Sequence, residues 1–202
     1  MELVSYLITL IPFYCLGAVP TGTLIARKKR VDLHLHGSGN VGATNVSRVL
    51  GTKLGLLTLL LDTLKGFLAV ILSSIIFGAG DYSAGAGVAA VLGHCFSIPG
   101  KLRGGKGVAT ALGITLAISP LLAFLALIVF ATMLVIFKIV SLASVSAVLF
   151  VPVVAMMDAE LAQSYQNALM VSALVVVFRH KTNLIRIAQG QEPRYSPAKS
   201  RS

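Results

Sequence analysis

Apolar residues fall in long blocks along this chain, separated by short polar stretches rich in Gly, Asn, Ser, Thr, Arg and Lys. Blocks of this length predict bilayer-crossing helices near residues 3–26, 54–77, 83–98, 139–157 and 167–178. A further block, 107–137, is too long for one crossing. As a single helix it would measure about 46 Å, against a hydrocarbon core of about 30 Å. Ser119-Pro120 near its middle is a natural break, and splitting there brings the total to seven spans, some of them short. No basic stretch precedes the first block, so it reads as a retained span and not as a signal peptide.

Composition agrees with the pattern. The 202 residues are 56% hydrophobic and 12% charged, with a mean hydropathy of +0.88, which excludes an ordinary soluble domain. A net charge of +10 taken alone would suit a nucleic-acid binder, but the apolar content assigns the chain to the lipid bilayer, with no nucleic-acid partner. With seven spans, 16 of the 17 basic residues fall on one face, while the other receives Glu2, Asp81, Asp158 and Glu160. Six spans would put Lys138 and the basic run from Arg179 onwards on the wrong side. The expected fold is therefore an all-α integral membrane protein with seven transmembrane helices, N-terminus outside and C-terminus cytoplasmic. Residues 1–193 form a single polytopic domain and 194–202 a basic cytoplasmic tail. The remaining basic residue, Lys65, lies inside the second span on the same helical face as Asp62. Such a pair either neutralises itself against a neighbouring helix or positions the cytoplasmic loops. Cys15 and Cys95 read as buried core thiols.

Three polar segments on the basic face carry candidate chemistry. In the first, Gly37-x-Gly39-x-x-Gly42 matches a dinucleotide fingerprint, with Asp62 twenty positions later. No strand precedes it and Asp62 sits in an apolar helix, so that reading fails. The glycines, with Asn40, Thr44 and Asn45, instead let backbone N–H groups approach an anion, and Arg48 adds a forked donor set. The second, from Gly100 to Thr110, mimics a Walker A loop, but Gly107 stands where a Ser or Thr must hold magnesium. What survives is a phosphate cradle: Gly104, Gly105 and Gly107 around Lys106 at the start of a helix. Lys101 and Arg103 suit a lipid-facing anchor. The third, from Arg179 to Arg186, continues the last span as a helix with His180 and Asn183 on one face. Only Asp32, Asp62 and Glu192 are acidic on that face or in the spans. A two-metal carboxylate site, such as CDP-alcohol phosphotransferases use, is thereby disfavoured, and the inventory is one for binding phosphate-bearing anions without metal or cofactor.

Taken together, the stretch from Gly37 to Asn45 with Arg48, the run from Gly104 to Thr110, and His180-x-x-Asn183 with Gly190-Gln191-Glu192-Pro193 resemble the bacterial acyl-phosphate:glycerol-3-phosphate acyltransferase family, PlsY. The resemblance implies a multi-pass enzyme of the bacterial cytoplasmic (inner) membrane, with its active site on the cytoplasmic face. It implies acyl transfer from acyl phosphate to the 1-hydroxyl of sn-glycerol 3-phosphate, yielding lysophosphatidic acid and phosphate at the start of phospholipid synthesis. It also implies functional coupling to the enzyme that makes acyl phosphate. By motif, Ser38 and Arg48 are the essential pair of the first segment. Lys106 and Thr110 with the glycines bind glycerol phosphate, His180 and Asn183 support activity, and Glu192 maintains the structure.

Such a reaction needs two anions brought together against their repulsion, which clustered cations accomplish. Ser38 and nearby amides would stabilise the developing oxyanion. None of His34, His36, His94 and His180 has an Asp five residues on. The hydroxyl proton would go to His180 or to a substrate phosphate. A transporter of phosphorylated anions is the alternative class, but it should gather its binding groups near the bilayer midplane and not on one face.

Overall fold

The computed structural model describes residues 2–97 and 104–195. Gly100, Lys101 and Arg103 of the second segment, and the tail from Ser196, lie outside the described residues. Among the described residues the regular elements are all helical: α1 (Glu2–Ala18), α2 (Thr21–Lys28), α3 (Ala43–Leu50), α4 (Thr52–Phe77), α5 (Asp81–Cys95), α6 (Val108–Ile118), α7 (Pro120–Phe137), α8 (Val140–Ala155), α9 (Gln163–Arg179) and α10 (Lys181–Ala188), with one 3-10 turn at Leu33–Leu35. Each apolar block of the sequence is helical over most of its described length, the third ending at Cys95. The first is interrupted at Pro20, which starts α2. The long block breaks at Ser119-Pro120: the Ser119 hydroxyl oxygen accepts the Leu122 N–H and Pro120 opens α7.

Three helical stretches, Leu3–Lys28, Thr52–Phe77 and Pro120–Phe137, are long and apolar enough to cross a bilayer; α6 and α8 are shorter apolar helices. Large apolar side chains such as Leu60, Ile75, Phe124, Val135 and Val153 stand exposed around the outside. No soluble protein leaves so many in water, whereas lipid accepts them. Cys15 is also exposed, unlike Cys95, which is buried. It belongs to this lipid-facing surface of α1, and the sequence expectation of a core thiol there is corrected.

The helices close around α6, which touches α4, α5, α7, α8 and α9, while α1 packs on α5 and α3 on α4. Val70, Val91, Ile114, Leu169 and Val176 from four of these helices make the core beneath the start of α6. Bundles surrounded by lipid gain no hydrophobic drive from helix contact and depend on close packing of small residues. Two seams show it. A Cβ on Gly66 would lie 2.2 Å from the Thr110 carbonyl oxygen, and one on Gly113 only 1.9 Å from that of Thr63, so α4 and α6 touch backbone to backbone. Gly17 and Gly93 make the same reciprocal approach between α1 and α5.

Candidate active site

The first segment is an ordered loop leading into α3, and Asn45 is its fastener. The buried Asn45 amide accepts the Ser38 N–H (2.8 Å) and donates to the carbonyls of Asn40 (2.7 Å) and His36 (3.0 Å). Gly37 turns at φ +62°, and a Cβ there would fall 2.1 Å from the Asn45 amide oxygen. Gly39 is also left-handed, at φ +71°. Asn40 closes a local turn by accepting the Gly42 N–H (3.0 Å). Both amides expected to face a ligand are therefore engaged within the loop. Ser38, Thr44 and Arg48 remain exposed, the last two one turn apart on α3. A small cluster of Ala26, Leu33, Val41 and Val46 anchors the loop from below.

The second and third segments meet in a hydrogen-bonded cluster. The Lys106 ammonium donates to the Asn183 amide oxygen (2.6 Å), and Asn183 donates in turn to Glu192 Oε1 (2.5 Å). That same oxygen accepts the Ser141 hydroxyl (2.7 Å), while Arg186 Nε donates to Glu192 Oε2 (2.7 Å). Glu192 thus ties α8, α10 and the loop beyond α10 to the lysine at the mouth of α6. Burial opposes its ionisation, but the hydrogen bonds from Ser141, Arg186 and Asn183 outweigh it and keep the carboxyl below its ordinary value.

Burial lowers the Lys106 ammonium to about 8 against the attraction of Glu192, and the charges of Arg186, Arg179 and Arg48 push it the same way. Arg48 of the first segment is therefore an electrostatic neighbour of Lys106 in the second. His180 is buried, and its Nδ1–H donates to the Val176 carbonyl (2.8 Å), leaving Nε2 as an acceptor. Burial, with Lys106 nearby, holds this imidazole at about 4 despite that bond, so it is neutral at physiological pH. The chain bends by 58° between α9 and α10. The third segment is thus not the continuous helix expected; His180 sits at the bend and Asn183 on the short helix after it.

The glycines of the second segment have a reason different from the one read in the sequence. The Gly105 N–H donates to the His94 carbonyl (3.0 Å), and a Cβ on Gly104 would meet the carbonyl oxygens of His94 and Cys95 at 2.3 and 2.5 Å. Arg179 grips the other edge, donating to the carbonyls of Gly105 (3.1 Å) and Gly104 (2.9 Å) while its guanidinium lies over Phe96. The Gly105 amide is therefore not a free anion donor. Close approach to α5 is what excludes side chains at Gly104 and Gly105. Gly107 opens α6 in the left-handed region at φ +84°. Thr110 is fully buried in the α4–α6 seam, its hydroxyl without a hydrogen-bond partner among the described residues, so it offers no surface to a ligand in this structure. Arg179, Arg186 and Ser141 were missed as site residues: the arginines read as orientation charges, and nothing in the sequence marks Ser141.

In this multi-pass membrane protein Lys106, Arg179, Arg186, Glu192 and a neutral His180 gather where α6 and α8 begin and α9 ends, with Arg48 bearing on Lys106 from α3, a charge arrangement suited to phosphate-bearing anions. The glycerol-3-phosphate acyltransferase family model matches residues 7–190, and the chain belongs to that family. It is 39% identical to the glycerol-3-phosphate acyltransferase of Geotalea daltonii, covering 93% of this chain and 96% of that one. With the enzyme of the same name from Syntrophotalea carbinolica it shares 41% identity over 95% and 98% of the two chains. Its fold superposes on the crystal structure of PlsY, an integral membrane glycerol 3-phosphate acyltransferase, in the glycerol 3-phosphate form, with a TM-score of 0.89, 38% identity and coverage of 95% and 96%. The lysophosphatidic acid form of PlsY gives a TM-score of 0.88 at 37% identity, with 96% of each chain covered.

Proposed function

We propose that this protein transfers a fatty acyl group from acyl phosphate to the 1-hydroxyl of sn-glycerol 3-phosphate, as one polytopic domain (residues 1–193) with a basic tail (194–202). The glycerol oxygen attacks the acyl carbonyl carbon, the bond from that carbon to the phosphate oxygen breaks, and lysophosphatidic acid and inorganic phosphate leave. The observation that carries this reading is the charge arrangement around Lys106: Arg48, Arg179 and Arg186 bear on it with Glu192 as the counter-charge. Two phosphates entering such a site relieve repulsion among the cations while overcoming their own. Arg48 and Lys106 hold the two phosphates, and Ser38, exposed beside Arg48's helix, stabilises the developing oxyanion. Asn183 aims Lys106, while Asn45, Gly37, Gly39 and Asn40 hold the loop that presents Ser38, Thr44 and Arg48.

The acceptor of the hydroxyl proton follows from basicity. An imidazole held at about 4 is a weaker base than a phosphate group, whose second ionisation lies at about 6. The leaving phosphate therefore takes the proton, and His180 orients the site. The enzyme works at the cytoplasmic face of a bacterial inner membrane that it crosses seven times, N-terminus outside. The distribution of basic residues supports that orientation. It needs no metal or cofactor, and it is supplied by the enzyme that makes acyl phosphate.

Purified protein given palmitoyl phosphate and glycerol 3-phosphate without magnesium should release inorganic phosphate and form lysophosphatidic acid. No release, with uptake of glycerol 3-phosphate into vesicles instead, would favour a transporter and overturn the reading.

A further inference from the structure

Beneath the Gly104–Gly105 loop lies a polar cluster that the reaction does not use. Asp62 of α4 and His94 of α5, 32 positions apart in sequence and unrelated by any motif, meet at 3.6 Å between Asp62 Oδ1 and His94 Nδ1. The same carboxylate oxygen receives the Lys65 ammonium at 2.8 Å and the Thr21 hydroxyl at 2.6 Å. Lys65 also donates to the Val19 carbonyl (3.1 Å), at the break between α1 and α2. Asp62 and Lys65 are 2% and 5% exposed. Apolar residues of equal volume would fill this space without the desolvation cost of two buried charges, so a merely space-filling role does not account for them.

A histidine beside an aspartate suggests a general base, but the geometry denies it. His94 Nε2 faces Gly105, where a Cβ would come within 2.2 Å of it. The backbone of the loop lies against the nitrogen that a base would present. What His94 does reach is the loop itself, through its ring and through its carbonyl, which accepts the Gly105 N–H. Asp62, His94, Gly104 and Gly105 also line one small cavity with Thr21.

We propose that Asp62, Lys65 and His94 are positioning residues that lock α2, α4 and α5 together and seat the Gly104–Gly105 loop, thereby aiming Lys106 at the phosphate of glycerol 3-phosphate. Asp62 fixes the His94 ring, the ring and carbonyl fix the loop from beneath, and Arg179 holds its opposite edge. The proposal rests on the acyltransferase reading. Failure of that reading would show as no phosphate release by the wild-type protein, before any variant is compared.

The test uses full-length protein in lipid bilayers, reading phosphate release and thermal stability together. His94→Leu and the charge-free Asp62→Leu/Lys65→Met variant are expected to raise KM for glycerol 3-phosphate on the order of tenfold, with kcat and melting temperature little changed. Combining them should add less than about twofold, because both cut the same connection. His94→Asn, whose amide nitrogen falls where Nδ1 lies, should restore KM to within about threefold of wild type, and His94→Gln should not. Should the larger changes prevent folding, the Asn and Gln variants decide alone. Equal KM in those two, an unchanged KM in His94→Leu, additive effects in the combined variant, or losses of kcat and KM that simply track melting temperature would each overturn the proposal.

Discussion

The two halves of the candidate site are built in opposite ways. The α3 side presents Ser38, Thr44 and Arg48 exposed on a loop whose internal polar groups are already satisfied through Asn45. The α6–α10 side holds half-buried Lys106 and buried Asn183 in a network organised by Glu192, with buried His180 beside it. The difference teaches a division of labour: exposed groups are free to follow a substrate, whereas buried ones must be in position before it arrives. A half-buried lysine carries a desolvation cost, and its ammonium is accordingly held at about 8.

The largest effect should come from the buried side. Lys106→Met is expected to lower kcat/KM by about a thousandfold, with melting temperature unchanged or raised, since a partly desolvated charge is removed. Next comes the exposed side: Arg48→Ala should cost about a hundredfold in kcat/KM without loss of stability, and Arg48→Lys about tenfold, because the forked geometry is lost while the charge stays. Glu192→Gln should reduce activity by roughly tenfold and melting temperature by several degrees, because three hydrogen-bonded elements come loose together. If Arg48→Ala were as destabilising as Glu192→Gln, the contrast between the halves would collapse.

The smaller effects concern pH. Lys106 is charged below about 8 and loses its proton above it, so KM for glycerol 3-phosphate should rise up to about tenfold per pH unit above pH 8. The rise should be missing in Lys106→Arg. His180, neutral above about 4, should contribute no limb to the kcat profile between pH 5 and 7.5. A limb near pH 6.5 that disappears in His180→Gln would return the base role to histidine.

Much of this architecture is legible in the sequence, because lipid imposes a simple rule on apolar blocks and Pro120 marks its own break. The segments around Arg48, Lys106 and Asn183 are legible too, since unusual local composition exposes them. What escapes is contact between distant positions. Nothing in the sequence pairs Asp62 with His94, sets Arg179 on the Gly104 and Gly105 carbonyls, or directs Ser141 to Glu192. The glycines illustrate the limit most clearly. The sequence says that a side chain is excluded at Gly105, and only the fold says that His94, not an anion, excludes it.

The α4–α6 seam carries a consequence for the membrane itself. Gly66 and Gly113 leave no side chain between the two helices to absorb a relative shift. A tilt of α4 is therefore passed to α6, whose first turn begins two residues after Lys106. Bilayer thickness acts on helix tilt. A change in the thickness of the surrounding bilayer would by this route reach the turn that follows Lys106.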